Sequence, residues 1–174
     1  MVKNLDDEGI KSIVKRYDLF FIDLWGVIHN GIKLYENSID VLDNLTAAKK
    51  DFVLLTNAPR PNLTVISFLK KIGLKKYFEN VYTSGEAAHK YLISEFNKKK
   101  FFHIGPPRDY DLFKNIENNN VLNIEDADYI LCTGLFDDHE NDLNYYKNLL
   151  SNHISKKMIC TNPDLIVDRG EQRE

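Results

Sequence analysis

The stretch LFFIDLWGVI, residues 19–28, joins a short apolar run to an aspartate, Asp23. Its first four residues, Leu19–Ile22, predict a buried β-strand of the kind found in parallel sheets. Gly26 follows the aspartate closely and would let the backbone approach a ligand or make an unusual turn. Open α/β sheets bind ligands outside the carboxyl ends of their strands. Asp23 is therefore the strongest candidate for a reactive group.

The same alternation of apolar runs and amphipathic stretches continues along the chain. Strands are predicted near residues 52–55, 81–82, 101–104, 121–124, 129–132 and 158–160. Apolar residues at helical spacing predict helices at about 36–50, at 63–72 and at 143–150. The apolar face of the second helix is predicted to comprise Leu63, Ile66, Leu69 and Ile72, and Gly73 is predicted to stop it. Thr83 and Glu86 form a capping box that opens a further helix. This order predicts an α/β fold with a mostly parallel sheet.

The composition of the chain argues against nucleic acids and membranes as binding partners. The 174 residues include 23 Lys and Arg against 26 Asp and Glu, a net charge of −3, whereas nucleic-acid-binding domains usually carry a basic excess. No apolar run approaches the roughly 20 residues of a membrane span, and the N-terminus resembles no export signal. Cys132 and Cys160 lie in apolar stretches and are predicted to be reduced core residues. We expect a cytoplasmic protein without nucleic-acid or membrane partners.

A second pair of polar residues follows the next predicted strand. Thr56 and Asn57 end the run at 52–55, so a hydroxyl and an amide would face the same crevice as Asp23. Together they would offer a carboxylate nucleophile and neutral donors for a phosphate group. On spacing alone, the alternative that these residues only cap the following helices stays open.

At this point the chain resembles a known family. Phe20–Gly31 is similar to the first motif of the haloacid dehalogenase (HAD) superfamily, and Phe52–Asn57 to the second. Thr83–Ala87 and Thr161–Asp164 resemble class IIA, the branch of the NagD-like, nitrophenyl-phosphate and pyridoxal-phosphate phosphatases. The resemblance implies part of a Rossmann-like HAD core over residues 1–84 and most of a C2-type α/β cap over residues 85–174.

The resemblance also implies a chemistry, that of a Mg²⁺-dependent phosphatase for a small phosphorylated metabolite. Asp23 would form the aspartyl-phosphate intermediate and ligate Mg²⁺, together with the backbone carbonyl of Trp25. Thr56, with the amide of Asn57, would hold the phosphoryl group. Asn162 and Asp164 would lie near the substrate-facing surface of the cap.

Trp25 is a departure from the family pattern. Class IIA phosphatases usually carry an aspartate two residues after the nucleophile as general acid and base, and an indole N–H cannot exchange a proton near neutral pH. The Trp form resembles a bacterial class IIA subgroup. His29 is a possible replacement, although a lone histidine in a loop is more often an ordinary polar residue. A non-catalytic module that binds a phosphorylated ligand is therefore the alternative function.

The end of the chain is a second departure. The lysine and acidic pair that follow the cap in class IIA find no match before Glu174. The sequence is therefore expected to be the N-terminal part of a longer enzyme, with negligible phosphatase activity and weak Mg²⁺ affinity by itself. The strand at 19–22 would then become a sheet edge that pairs with a second copy or is covered by another segment. An N-terminal helix around residues 10–14 is the competing cover.

Overall fold

A computed structural model describes residues 9–164 and the backbone of two short strands beyond them. The α-helices are α1 (Glu36–Ala47), α2 (Asn62–Lys71), α3 (Ser84–Phe96) and α4 (Leu143–Ser151). The strands are β1 (Leu19–Asp23), β2 (Asp51–Thr56), β3 (Val81–Thr83), β4 (Phe101–Ile104), β5 (Asn120–Val121), β6 (Tyr129–Cys132), β7 (Lys157–Cys160), β8 (Asp168–Arg169) and β9 (Gln172–Arg173). Short 3₁₀ turns include Ile10–Ser12, Val14–Arg16, Pro107–Phe113 and Ile124–Asp126.

The strands form two sheets and a small antiparallel pair. The first sheet has the order β1-β2-β3, and the second has the order β5-β4-β6-β7. β1 pairs with β2 in parallel, and every ladder of the second sheet is parallel. β8 and β9 pair antiparallel. The predicted α/β fold with parallel sheets is confirmed.

The chain divides into two compact units. The first comprises Met1–Thr56, Phe68–Val81 and Ile166–Glu174, and the second comprises Asn57–Ser67 and Tyr82–Leu165. The chain passes from the first unit to the second directly after β2. The assignment of residues 1–84 to a core domain and 85–174 to a cap stays a prediction.

The first unit has its core around β2 and α1. Phe52 and Leu54 of β2 are buried, as are Leu42 and Leu45 of α1. β1 is different, because it is the edge strand of its sheet and its residues alternate between exposed and half-buried. The prediction of a buried strand at 19–22 was therefore wrong in its burial, although the strand itself and its edge position are as expected.

Helix α2 buries only part of the predicted apolar face. Leu63 is 76% exposed, whereas Val65 and Leu69 are buried. Residues repeating every three positions drift around a helix of 3.6 residues per turn, while Val65 and Leu69 are four apart and share one face. Gly73 has a φ of 104°, which confirms it as the stop after this helix.

The second unit packs side chains on both faces of its sheet. One cluster gathers Leu92, Phe96, Phe101, Leu112, Phe113, Ile116, Tyr129 and Leu131, and the other gathers Ile104, Ile124, Ile130 and Tyr146. The predicted strand at 121–124 was displaced: β5 pairs with β4 over two residues only, and Ile124 enters the core from a 3₁₀ turn. Cys132 is half-buried and packs against the second of these clusters, whereas Cys160 is exposed, which corrects the prediction of Cys160 as a core residue. The cause is that β7 lies at the edge of the sheet.

Candidate functional site

The carboxyl ends of β1 and β2 bring two of the predicted site residues to one edge of the first sheet. Asp23 is in register with Leu55, and the N–H of Leu24 donates to the Leu55 carbonyl at 3.0 Å. Thr56 is the next residue of β2, so its position lies beside that of Asp23. Asp23 is the last residue of β1 and is exposed. The register therefore places the backbone positions of Asp23 and Thr56 side by side at the end of the sheet where parallel strands bind ligands.

A tight turn follows Asp23 and holds its neighbours in place. Leu24 and Ile28 are each 1% exposed, and the N–H of Gly26 donates to the His29 carbonyl at 2.7 Å. Gly26 has a φ of 77°, a conformation that side-chain-bearing residues rarely adopt. The unusual turn predicted for Gly26 is confirmed.

His29 is buried inside this turn and stabilises it. It is 3% exposed, and its Nδ1 accepts a hydrogen bond from the N–H of Gly31 at 2.9 Å. Its ring meets those of Trp25 and Phe68 edge to face, with centroids 5.2 and 5.3 Å apart. Burial lowers the pKa of His29, and the negative charge of Asp23 opposes that effect only in part. A neutral, buried imidazole with Nδ1 already accepting fits an anchor of the turn better than a proton donor.

Trp25 occupies the position two residues after Asp23 and contributes to the same packing. It forms a bridge pair with His29 in addition to the ring contact. Its side chain provides no carboxyl group, so the turn holds an indole where an acid is usual in class IIA. The main-chain carbonyl of Trp25 does not depend on the identity of the side chain.

The donor chemistry of this turn fits a hard cation. Mg²⁺ prefers oxygen ligands and is commonly held by one or two carboxylates together with substrate phosphates. Asp23 would supply a carboxylate and Trp25 a carbonyl. Over the part of the chain that the structure describes, no group of three or more His, Cys, Asp and Glu side chains is placed to hold a metal ion. These residues therefore fit Mg²⁺ in kind and supply a single carboxylate.

The other predicted site residues meet within the second unit. The side-chain amide of Asn57 donates to Asn162 Oδ1 at 3.2 Å and to the carboxylate of Asp164. The N–H of Asp164 donates to the same Asn162 oxygen at 3.1 Å. The side chain of Asn57 thus binds two of the four residues of the Thr161–Asp164 motif, an arrangement that the sequence did not indicate.

The loop after Asn57 is held by the beginning of α3. Thr83 Oγ1 donates to the Arg60 carbonyl at 2.6 Å and accepts from the N–H of Glu86 at 2.9 Å, which confirms Thr83 as a helix cap. The Glu86 carboxylate does not complete the capping box; it accepts from the N–H of Asn62 at 3.2 Å. The N–H of Gly85 donates to the Ala58 carbonyl at 3.0 Å.

Gly85 makes the closest approach in this region. A Cβ at that position would lie 2.3–2.4 Å from the backbone N, C and O atoms of Arg60. Only glycine permits this distance. The Thr83–Glu86 segment therefore acts as a clamp, meaning that its hydrogen bonds and the close approach of Gly85 hold residues 58–62 in place. The sequence identified this segment as a motif but did not reveal these contacts.

Sequence reasoning also missed a buried polar network in the second unit. Arg60 Nε forms an ion pair with Asp109 at 3.0 Å, and the Asp109 side chain is buried. Burial raises the pKa of Asp109, and the adjacent Arg60 guanidinium opposes that rise. His103 contacts Thr133 Oγ1 through Nε2 at 2.9 Å, and burial lowers its pKa to about 4. Isolated His, Asp and Arg residues carry no spacing signal that would have revealed this network.

Comparisons with known proteins agree with this architecture. A family profile described as haloacid dehalogenase-like hydrolase matches residues 20–118. A crystal structure of a haloacid dehalogenase-like family hydrolase from Brucella suis 1330 is 32% identical, with a TM-score of 0.80, and the match covers 99% of this chain and 64% of that one. No curated protein sequence matches the chain.

More distant structures share the fold alone. The 4-nitrophenylphosphatase from Thermotoga maritima is 23% identical with a TM-score of 0.69, and the match covers 92% of this chain and 60% of that one. A glycerol phosphate phosphatase from Mycobacterium tuberculosis, solved with calcium, is 19% identical with a TM-score of 0.64, covering 92% and 47%. The chain thus spans less than two thirds of these matched proteins. Among the described residues, no helix has the length and apolar character needed to cross a membrane.

Proposed function

This chain belongs to the haloacid dehalogenase-like hydrolase family, and from that premise we propose that its protein is a Mg²⁺-dependent phosphatase for a small phosphorylated metabolite. The observation that carries the proposal is the placement of the Asp23 carboxylate beside Thr56 at the carboxyl ends of two paired parallel strands. Phosphoryl transfer depends mainly on positioning and on charge stabilisation, and this edge offers both a nucleophile and donors.

The reaction follows from the groups at this edge. A carboxylate oxygen of Asp23 attacks phosphorus, the P–O bond to the substrate breaks, and the departing alkoxide takes a proton from a solvent water molecule. Water then attacks the aspartyl phosphate, which releases inorganic phosphate and restores Asp23. The hydroxyl of Thr56 and the main-chain N–H of Asn57 donate to the phosphoryl oxygens. The side-chain amide of Asn57 instead donates hydrogen bonds to Asn162 and Asp164.

A divalent cation belongs to the proposal. Asp23 and the carbonyl of Trp25 would hold Mg²⁺, which neutralises charge on a transferring phosphoryl group. Solved structures of the mycobacterial glycerol phosphate phosphatase contain magnesium in one case and calcium in another, which supports a metal in this fold. We propose that Asn162 and Asp164, which bind the side-chain amide of Asn57, act at the cap surface.

Finer features are also part of the proposal. They are membership of the Trp-containing class IIA subgroup, a cytoplasmic location, and the absence of nucleic-acid and membrane partners. The activity of the whole protein is proposed as well, because the chain spans 64% or less of the structures described above.

Trp25 and His29 favour one alternative, a non-catalytic protein that binds a phosphorylated ligand for a regulatory purpose. The position two residues after Asp23, which usually supplies the acid, holds the indole of Trp25, and the nearby imidazole of His29 is buried within the turn. Loss of a positioned acid and base typically lowers turnover by about 10²–10⁴-fold. Such a protein would keep the phosphate-binding edge and lose the reaction.

The deciding experiment measures turnover of 4-nitrophenyl phosphate and a panel of small phosphate esters by the protein expressed from its complete reading frame. We expect Mg²⁺-dependent hydrolysis that Asp23→Asn abolishes, because the amide is not a nucleophile. Asp18→Asn is the matched control, since Asp18 lies just before β1 with a fully exposed side chain paired to Lys50. Hydrolysis retained in Asp23→Asn contradicts the proposal, and saturable binding of phosphate esters without turnover favours the non-catalytic alternative.

A further inference from the structure

The two cysteines of the chain face each other on neighbouring strands. β6 and β7 run parallel, and their register pairs Cys132 directly with Cys160. Paired residues of adjacent strands lie about 4.8 Å apart and present their side chains to the same face of the sheet. That spacing falls within the Cα–Cα range of about 4.4–6.8 Å in which disulfides form.

The two thiols also have equivalent orientations. Cys132 Sγ donates to the Gly134 carbonyl at 3.5 Å, and Cys160 Sγ donates to the Asn162 carbonyl at 3.3 Å. In each strand the acceptor lies two residues farther along the chain. Burial, and then the neighbouring Cys160 thiol, raise the pKa of Cys132 to about 11. The thiols therefore interact with each other as well as with the backbone.

Their exposure differs in a way that suits stepwise oxidation. Cys160 is exposed on the edge strand, and Cys132 is half-buried on the strand inside it. A solvent-borne oxidant reaches Cys160 first. Residues 1–174 contain two cysteines, Cys132 and Cys160, so within this range the two thiols are each other's sole thiol partner.

We propose that Cys132 and Cys160 form a redox modification site, a reversible disulfide between β6 and β7 that hydrogen peroxide generates. The Cys160 thiolate sulfur attacks one peroxide oxygen and the O–O bond breaks, which gives sulfenic acid and hydroxide. The hydroxide takes up the proton that the thiol had released and becomes water. The Cys132 sulfur then attacks the Cys160 sulfur, the S–O bond breaks, and a second water leaves. Two thiols give up two electrons and two protons, and one peroxide is reduced to two waters.

The second step has a predictable pH dependence. The thiolate is the attacking species, so the raised pKa of Cys132 slows ring closure at neutral pH and makes it faster as the pH rises. The bond would form directly ahead of Thr161, whose N–H already donates to the Cys132 carbonyl at 2.9 Å. The inference does not depend on phosphatase activity, because it concerns only thiols and strand register.

The test treats the reduced protein with hydrogen peroxide, alkylates remaining thiols, and maps peptides by mass spectrometry. We expect the loss of two hydrogens per chain, a peptide containing Cys132 linked to one containing Cys160, and full reversal by dithiothreitol. Cys132→Ser should stop at a sulfenic acid that dimedone traps on Cys160, and Cys160→Ser should react far more slowly.

Results on the unmodified sequence decide the matter even if a serine variant fails to fold. Cys160 oxidised to sulfinic acid while Cys132 remains open to alkylation would overturn the proposal. So would a disulfide that joins Cys160 residues of two chains, or no oxidation of either thiol. A faster linkage at higher pH supports the proposed second step, and a slower one contradicts it.

Discussion

Trp25 is the residue at which this chain departs most clearly from class IIA phosphatases, and a substitution there tests the consequence. If the indole merely replaces an acid, Trp25→Asp should raise phosphatase turnover, by up to about 10²–10⁴-fold. The gain is reduced by any repacking of the turn, because the indole contacts His29 at a centroid distance of 5.2 Å. The measurement is kcat of the protein from its complete reading frame with a phosphate ester.

Trp25→Phe is the matched control for that substitution. It keeps an aromatic edge against His29 and adds no acid, so turnover should not rise. Unchanged turnover in Trp25→Asp with an intact fold would show that another group transfers the proton. His29→Gln is then the next variant to measure.

His103 gives a prediction about stability and pH. Its pKa falls from 6.5 to about 4 on folding because burial disfavours the charged form. The unfolded chain therefore binds the proton more readily, and the free energy of unfolding should fall as the pH drops from about 6.5 to about 4, by up to about 3 kcal/mol. Chemical denaturation across this pH range measures the effect.

The comparison variant is His103→Gln, which keeps a polar side chain beside Thr133 and does not titrate. Asp109 acts in the opposite direction, since its raised pKa favours the folded state at lower pH. The difference between the two proteins isolates His103. Stability curves that run parallel across this pH range would contradict the prediction.

At the scale of an element, the beginning of α3 depends on the absence of a side chain at position 85. Gly85→Ala should lower the free energy of unfolding by about 1–3 kcal/mol, because its Cβ would overlap the backbone of Arg60, which has no flexible end to move aside. Gly134→Ala is the matched control: its Cβ would meet Pro106 Cδ at 3.5 Å, an ordinary contact. Denaturant titration of both variants measures the difference, and equal stability of the two would contradict the clamp.

At the scale of the whole molecule, the exposed edge strand β1 predicts self-association. Leu19 and Phe21 are 47% and 68% exposed, and the 3₁₀ turns at Ile10–Ser12 and Val14–Arg16 leave Phe21 uncovered. An apolar edge with unpaired backbone groups is a template for another strand. We expect the chain to self-associate at micromolar concentration, and Phe21→Lys to weaken that association, as measured by sedimentation.

Leu122→Lys controls for a simple gain of charge, because Leu122 is 93% exposed and lies outside the edge strand. Its association should match that of the unmodified chain. A monodisperse monomer at the same concentration would contradict the expected pairing of β1.

The local sequence pattern was enough to predict the order of the helices and strands and two residues of the candidate site, Asp23 and Thr56. Short apolar runs and apolar residues at helical spacing predicted the strands and helices to within a few residues. Thr83 and Gly73 mark helix ends because their chemistry acts within one turn. Asp23 and Thr56 could be placed together because parallel strands end at the same edge of a sheet. These features depend on neighbours close in sequence or on a general rule of chain topology.

Tertiary structure alone decided the contacts between distant segments. Asn57 meets Asn162 and Asp164, residues 105 and 107 positions away, and no local spacing encodes such a meeting. The exposure of β1 and of Cys160 follows from their place at sheet edges, which depends on the order in which all strands pair. Periodicity specifies which face of an element is apolar, whereas packing among all the elements decides which of those faces finds a partner.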